Sequence, residues 1–176
     1  MGFTQDLIEN ITESYSNGLP KTIKYFKSTS NTIELSKIKT FHPNGKLENE
    51  INYIDGEYDG EWISYYKNGE LFVFGLYENG KKDGKWLSYH ENGQKNSSEN
   101  YQDDILHGDW YTYFENGQTK YKGKYVDGEK DGEWIVYYES GGKKIEEIYK
   151  DGLRDGKWIE YSGDRQEMKK ITYRDG

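Results

Sequence analysis

The sequence predicts a mainly β fold, an elongated antiparallel β-meander built from tandem two-stranded repeats of 24 residues. Three observations predict it. Tryptophan recurs at Trp62, Trp86, Trp110, Trp134 and Trp158, evenly spaced, and self-similarity at a fixed period marks a repeat array. Asn-Gly and Asp-Gly pairs recur in the same period and are residue pairs that tight hairpin turns favour. Aromatic residues make up 16% of the 176-residue chain although hydrophobic residues reach only 32%. So polar a chain would be disordered without the rings, but rings supply buried area and suit strands.

The first 37 residues read as a cap. Phe3, Leu7, Ile8, Ile11 and Tyr15 fall on one helical face, which predicts a short amphipathic helix over residues 3–16 that covers the first sheet edge. Asn17-Gly18 and Tyr25 suggest a degenerate repeat of altered length. The start lacks a basic leader and a long apolar stretch, so no signal peptide is expected. Met1-Gly2 is followed by Asp6 where a myristoylation motif needs Ser or Thr.

The array itself is expected over residues 38–176. Each tryptophan is preceded two residues earlier by glycine (Gly60, Gly84, Gly108, Gly132, Gly156) and followed three later by tyrosine (Tyr65, Tyr89, Tyr113, Tyr137, Tyr161). A second tyrosine series runs through Tyr53, Tyr77, Tyr101, Tyr125, Tyr149 and Tyr173. Turns at Asn44-Gly45, Asn68-Gly69, Asn92-Gly93, Asn116-Gly117 and Ser140-Gly141 alternate with Asp-Gly turns. The segments between them have strand length, for example Lys46–Tyr53 and Glu61–Tyr66. Trp62 and Tyr65 differ by an odd number, so they should face opposite sides of the sheet. Equivalent tryptophans should stack as a ladder, and about twelve strands are expected at ~4.8 Å spacing. The last strand, Met168 to Tyr173, carries Lys169 and Lys170, with Arg174 after it, and charge of this kind guards an edge.

No chemistry stands out. His42 and His90 occupy the slot of Tyr66, Phe114 and Tyr138, and read as ring replacements. His107 takes the slot of Asp59, Asp83, Asp131 and Asp155. Aspartates such as Asp55 and Asp59 could suggest acid–base or calcium chemistry, but they recur beside glycine in nearly every unit, as turn residues do. There is no phosphate-binding Gly-x-x-x-x-Gly-Lys loop and no Gly-x-Ser-x-Gly turn. The expectation is no enzyme, no catalytic residue, no cofactor and no metal. With no cysteine, disulfides and thiolate metal sites are excluded, which is compatible with the cytoplasm. The formal charge of −8 without a basic cluster argues against a nucleic-acid partner, and no apolar run is long enough to span a bilayer.

The departures from the repeat point elsewhere. The run Leu71-Phe72-Val73-Phe74 is apolar throughout, its last three residues standing where the previous unit has Glu48-Asn49-Glu50. Ile105, Leu106 and His107 replace Glu57-Tyr58-Asp59 or Lys81-Lys82-Asp83. Apolar residues not needed by the repeat can mark a contact patch, which makes Leu71, Phe72, Phe74, Ile105, Leu106 and His107 the candidate partner-binding residues. The alternative is local packing against the helix or a neighbouring strand.

The unit Tyr125-Val-Asp-Gly-Glu-Lys-Asp-Gly-Glu-Trp-Ile-Val-Tyr-Tyr resembles the MORN-repeat variant of bacterial YwqK-type proteins, over roughly residues 38–176. It departs from the ordinary MORN unit in carrying Trp134 where a second glycine is expected after Gly132. The resemblance implies an antiparallel β-meander. It also implies a cytoplasmic antitoxin or immunity protein that binds and neutralises a bacterial toxin as its protein partner. The alternative is a MORN-like structural scaffold or membrane-associated adaptor.

Overall fold

The computed structural model describes residues 7–28, 32–164 and 166–174. Among these there are fifteen strands and no helix, and none of the helices needed to cross a membrane. The chain forms two compact units, Met1–Asp83 and Gly84–Gly176.

In the first unit, β1 (Leu7–Ser14), β2 (Pro20–Ser28), β3 (Ile33–Phe41), β4 (Leu47–Ile54), β5 (Glu57–Tyr65) and β6 (Leu71–Glu78) pair antiparallel in chain order. β7 (Lys81–Tyr89) runs through the boundary. The second unit continues with β8 (Lys95–Gln102), β9 (Ile105–Leu106), β10 (Gly108–Tyr113), β11 (Thr119–Val126), β12 (Glu129–Tyr137), β13 (Lys143–Lys150), β14 (Leu153–Tyr161) and β15 (Glu167–Tyr173). β8 pairs with both β9 and β10, and the rest follow in chain order.

The expected N-terminal helix is a strand. Residues 3–6 lie outside the described residues, but Leu7–Ser14 pairs with β2, from Leu7 opposite Lys27 to Ser14 opposite Pro20. The reason lies in the turn that follows. Asn17 makes the same bonds as the later Asn-Gly turns, accepting from the Leu19 N–H at Oδ1 and donating from Nδ2 to the Pro43 carbonyl. A hairpin turn needs two strands, and the neighbouring strand overrides the helical spacing of Leu7, Ile8 and Ile11. These three side chains remain 51%, 46% and 51% exposed, as the outer strand offers them no second layer.

The two turns of each repeat work differently. At the Asp-Gly turns both central residues have positive φ, as in Asp55 (51°) and Gly56 (85°) between the paired residues Ile54 and Glu57. That is the two-residue hairpin geometry matched to strand twist. At the Asn-Gly turns only the glycine is left-handed: Gly69 has φ 94° and donates to the Tyr66 carbonyl at 2.8 Å. The asparagine instead ties two backbones together. Asn92 Oδ1 accepts from the Gln94 N–H at 2.9 Å while its Nδ2 donates to the Glu115 carbonyl at 2.9 Å, one repeat on.

The Asp-Gly before the tryptophan (His107-Gly108 in the third copy) is no turn at all. Gly60, at φ 92°, lies inside β5, where the register slips between Ile51 opposite Trp62 and Tyr53 opposite Tyr58. This is a β-bulge, so the strand begins at Glu57 rather than Glu61. At the third copy the bulge, with Gly108 at φ 109°, breaks the strand into β9 and β10. This split and the added N-terminal strands raise the count above the expected twelve.

Trp62 stands opposite Ile51 on one side and Gly75 on the other, whereas Ile63 stands opposite Glu50 and Phe74. Successive residues thus serve opposite faces, and both faces bury side chains: Trp86 and Trp134 are 6% and 5% exposed, Ile135 and Ile159 3% and 8%. The tryptophan ladder proves to be mixed. In the second unit Trp110 and Trp134 lie 5.5 Å apart, and Tyr125 meets them edge-on at 6.1 and 5.0 Å. In the first, Tyr58 contacts Tyr53, Trp62 and Tyr77 within 5.5 Å. Alternating quadrupoles favour such edge contacts.

Candidate partner-binding surface

The predicted contact residues fall in the two units, three in each. In the first unit, β6 carries Phe72 and Phe74 on the face of Ile63. Phe74 stands opposite Ile63, and Phe72 packs its ring 4.8 Å from Tyr66 yet stays 41% exposed. Leu76 on the same strand is 42% exposed. Leu71 is half-buried beside a bulge, opposite Tyr65. Val73 stands opposite Ser64. The strand therefore has one side absorbed by the tryptophan face and one presenting phenylalanine to water. Leu76 was not among the predicted residues. The alternation from Phe72 through Phe74 to Leu76 was its signal.

In the second unit, Ile105 is 49% exposed. Leu106 is half-buried opposite Tyr101, and its carbonyl accepts from the Gly128 N–H at 2.9 Å. His107 Nδ1 lies 3.2 Å from Asp127 Oδ1 and 3.4 Å from the Asp127 backbone nitrogen. The same bond in the first unit runs from the Asn79 N–H to Asp59 Oδ2 at 3.2 Å. His107 is thus a turn-to-turn link in an aspartate slot. The local packing of these residues is against strands and turns, since there is no helix among the described residues.

The other histidines fill ring positions that also bond. His42 Nε2 lies 2.9 Å from the Tyr65 carbonyl and His90 Nε2 3.1 Å from the Tyr113 carbonyl. Tyr138 Oη donates to the Tyr161 carbonyl at 2.9 Å in the same slot. Facing a carbonyl, each Nε2 carries the proton.

Charge is locally balanced. Glu50 is clamped by Lys37 and, at 3.0 Å, by Lys39. Burial pushes its carboxyl up, but the two lysine hydrogen bonds outweigh burial and hold it below the usual range. Glu146 behaves likewise, with burial opposed by bonds from Lys143 and Tyr161. The Tyr53 phenol is pushed up to about 12, by burial first and then by Tyr58. Among the described residues, no group of three or more His, Asp or Glu side chains is placed to hold a metal ion. The Glu50 and Glu146 carboxylates thus each tie side chains of neighbouring strands together.

A family model described as MORN repeat variant matches residues 37–55, 58–79, 82–103, 106–127 and 130–151. Each match after the first begins beside the strand residue that follows one hairpin turn and ends at the next such turn, so the matched unit is the structural one. A search of curated proteins finds no match.

Proposed function

Because the chain belongs to the MORN repeat variant family, we propose that it is a non-enzymatic protein-binding repeat protein, and within that class an antitoxin or immunity protein that masks a bacterial toxin. One observation carries the binding reading. The regular positions are consumed by turns, bulges and ring packing, while Phe72 and Ile105, which the repeat does not require, stand 41% and 49% exposed. At both positions most of the other repeats carry a polar or charged residue, and apolar side chains that a repeat does not need can gather into a contact patch. The toxin as partner is supported by the likeness of the repeat unit to YwqK-type proteins. A lipid-directed adaptor is disfavoured by the net charge of −8, which anionic vesicles repel.

The test is co-expression with the toxin-like product of a neighbouring gene. Co-purification and restored growth are expected, with Phe72→Ser and Ile105→Ser each weakening binding about tenfold or more, the ordinary size of a hot-spot loss. Their β-type circular dichroism should stay unchanged. A toxin that neither binds nor is neutralised overturns the antitoxin assignment. Full binding by both variants overturns the proposed surface.

A further inference from the structure

The residue opposite the first tyrosine of each repeat is Tyr58, Lys82, Leu106, Lys130 or Arg154 in the five copies. In the fourth copy it is a cation seated on rings. Lys130 stands opposite Tyr125 and holds Nζ 4.3 Å from the Trp134 ring centre and 4.8 Å from that of Tyr149. Those two rings meet edge-on, 6.2 Å apart at 72°. An ammonium over indole and phenol faces is attracted by their quadrupoles, and the aliphatic stem of a lysine can cover apolar surface. Beneath this arrangement Trp134 is 5% exposed.

One repeat earlier the same pair is present with leucine in place of the lysine. Trp110 and Tyr125 meet edge-on, 6.1 Å apart at 86°. Leu106 stands opposite Tyr101, as Lys130 stands opposite Tyr125. Leucine is shorter than lysine and uncharged, and Trp110 is only half-buried where Trp134 is buried. The surroundings favour positive charge. Asp103, Asp104, Asp109 and Asp127 are all exposed near this end of the strands, and the whole chain carries −8.

We propose that Trp110 and Tyr125 form a seat for a lysine or arginine side chain of a basic protein partner, filling the place that Lys130 fills from within the chain one repeat later. The seat rests on the protein-binding reading above and gives that partner a chemistry: a cationic segment, drawn in by the acidic turns and fixed by ring contact.

The test uses the full chain with hexalysine as probe, followed through the indole N–H resonances, Trp110 being assigned by Trp110→Phe. Hexalysine is expected to shift the Trp110 resonance saturably, and fully acetylated hexalysine to leave it in place. Leu106→Lys should fold, because Lys130 occupies the equivalent site, and should weaken hexalysine binding at least about tenfold by filling the seat. Gln102→Lys adds the same charge at an exposed neighbouring position without filling it, and should retain binding to within about threefold. Equal weakening by both variants, unchanged binding by Leu106→Lys, or equal binding of the acetylated peptide overturns the seat and leaves only diffuse acidic attraction. No response of Trp110 to hexalysine overturns it outright. None of these outcomes involves a toxin, so failure here is distinct from failure of the co-purification test.

Discussion

Gly123 is a residue on which the second unit should depend, and for a reason unrelated to backbone freedom. It lies in β11 across from Trp134, and a Cβ added there would sit 2.3 Å from Trp134 Cδ2, 2.4 Å from Cε2 and 2.6 Å from Cε3. Its φ is not positive, so alanine would suit the strand and gain roughly 0.5–1 kcal/mol of chain entropy if space allowed. Space does not allow it. The indole is held by Trp110 at 5.5 Å, Tyr125 at 5.0 Å and the Lys130 ammonium at 4.3 Å, so it cannot retreat without breaking those contacts. Overpacking of this kind costs about 1–3 kcal/mol, and partial expulsion of a ring more. Against the entropic gain, Gly123→Ala should be destabilising by about 1–2 kcal/mol. For a chain of this size that lowers the melting temperature by roughly 3–8 °C. Thermal unfolding followed by tryptophan fluorescence measures it, with Gly163→Ala as a control, since nothing lies within 4 Å of a Cβ there. A Gly123→Ala protein as stable as the parent would refute the argument that Trp134 packs on bare backbone.

Three further outcomes follow from the turns and the buried charges. Ser140 stands where Asn17, Asn44, Asn92 and Asn116 each bond both their own turn and the next repeat, so Ser140→Asn should stabilise by about 1 kcal/mol in denaturant titration. Asp104 holds φ 69° where the other Asp-Gly turns hold glycine, and Asp104→Gly should gain about 1 kcal/mol by removing a left-handed side-chain conformation, read in the same titration. Glu50 is held below its ordinary range by Lys37 and Lys39. Its contribution is therefore full above the unfolded carboxylate value and lost as pH falls through the folded one. Glu50→Gln should flatten the loss of stability measured between about pH 5 and pH 3.

The repeat, its strands and its turn positions were legible because side chains enforce them locally. Trp62 and its equivalents, the glycines before them and the Asp-Gly hairpins each recur without drift. What was not legible depended on neighbours in space. The helical spacing of Leu7, Ile8 and Ile11 is genuine, but Asn17 closes a hairpin against Pro43, a contact 26 residues away. The second Asp-Gly of each unit looks like the first in sequence. Only strand pairing distinguishes the bulge at Gly60 from the turn at Gly56. Among the candidate contact residues, Phe72 and Ile105 were visible as breaks in the repeat, whereas Leu76 is visible only through its alternation with Phe72 and Phe74, which becomes informative once the strand is placed.

The exposure of the tryptophans follows from residues outside the tryptophan motif. Glycine stands across from Trp134 at position 123, and the indole settles onto the backbone and is buried. Ile51, Glu99 and Glu147 occupy the corresponding place for Trp62, Trp110 and Trp158, and all three of those rings stay half-buried. The position opposite the first tyrosine also touches these rings: Lys130 holds its ammonium 4.3 Å from the Trp134 ring centre, and Tyr58 meets Trp62 edge-on at 5.5 Å. A repeat with an invariant tryptophan can thus vary its surface through two neighbouring positions while its turns and register stay constant.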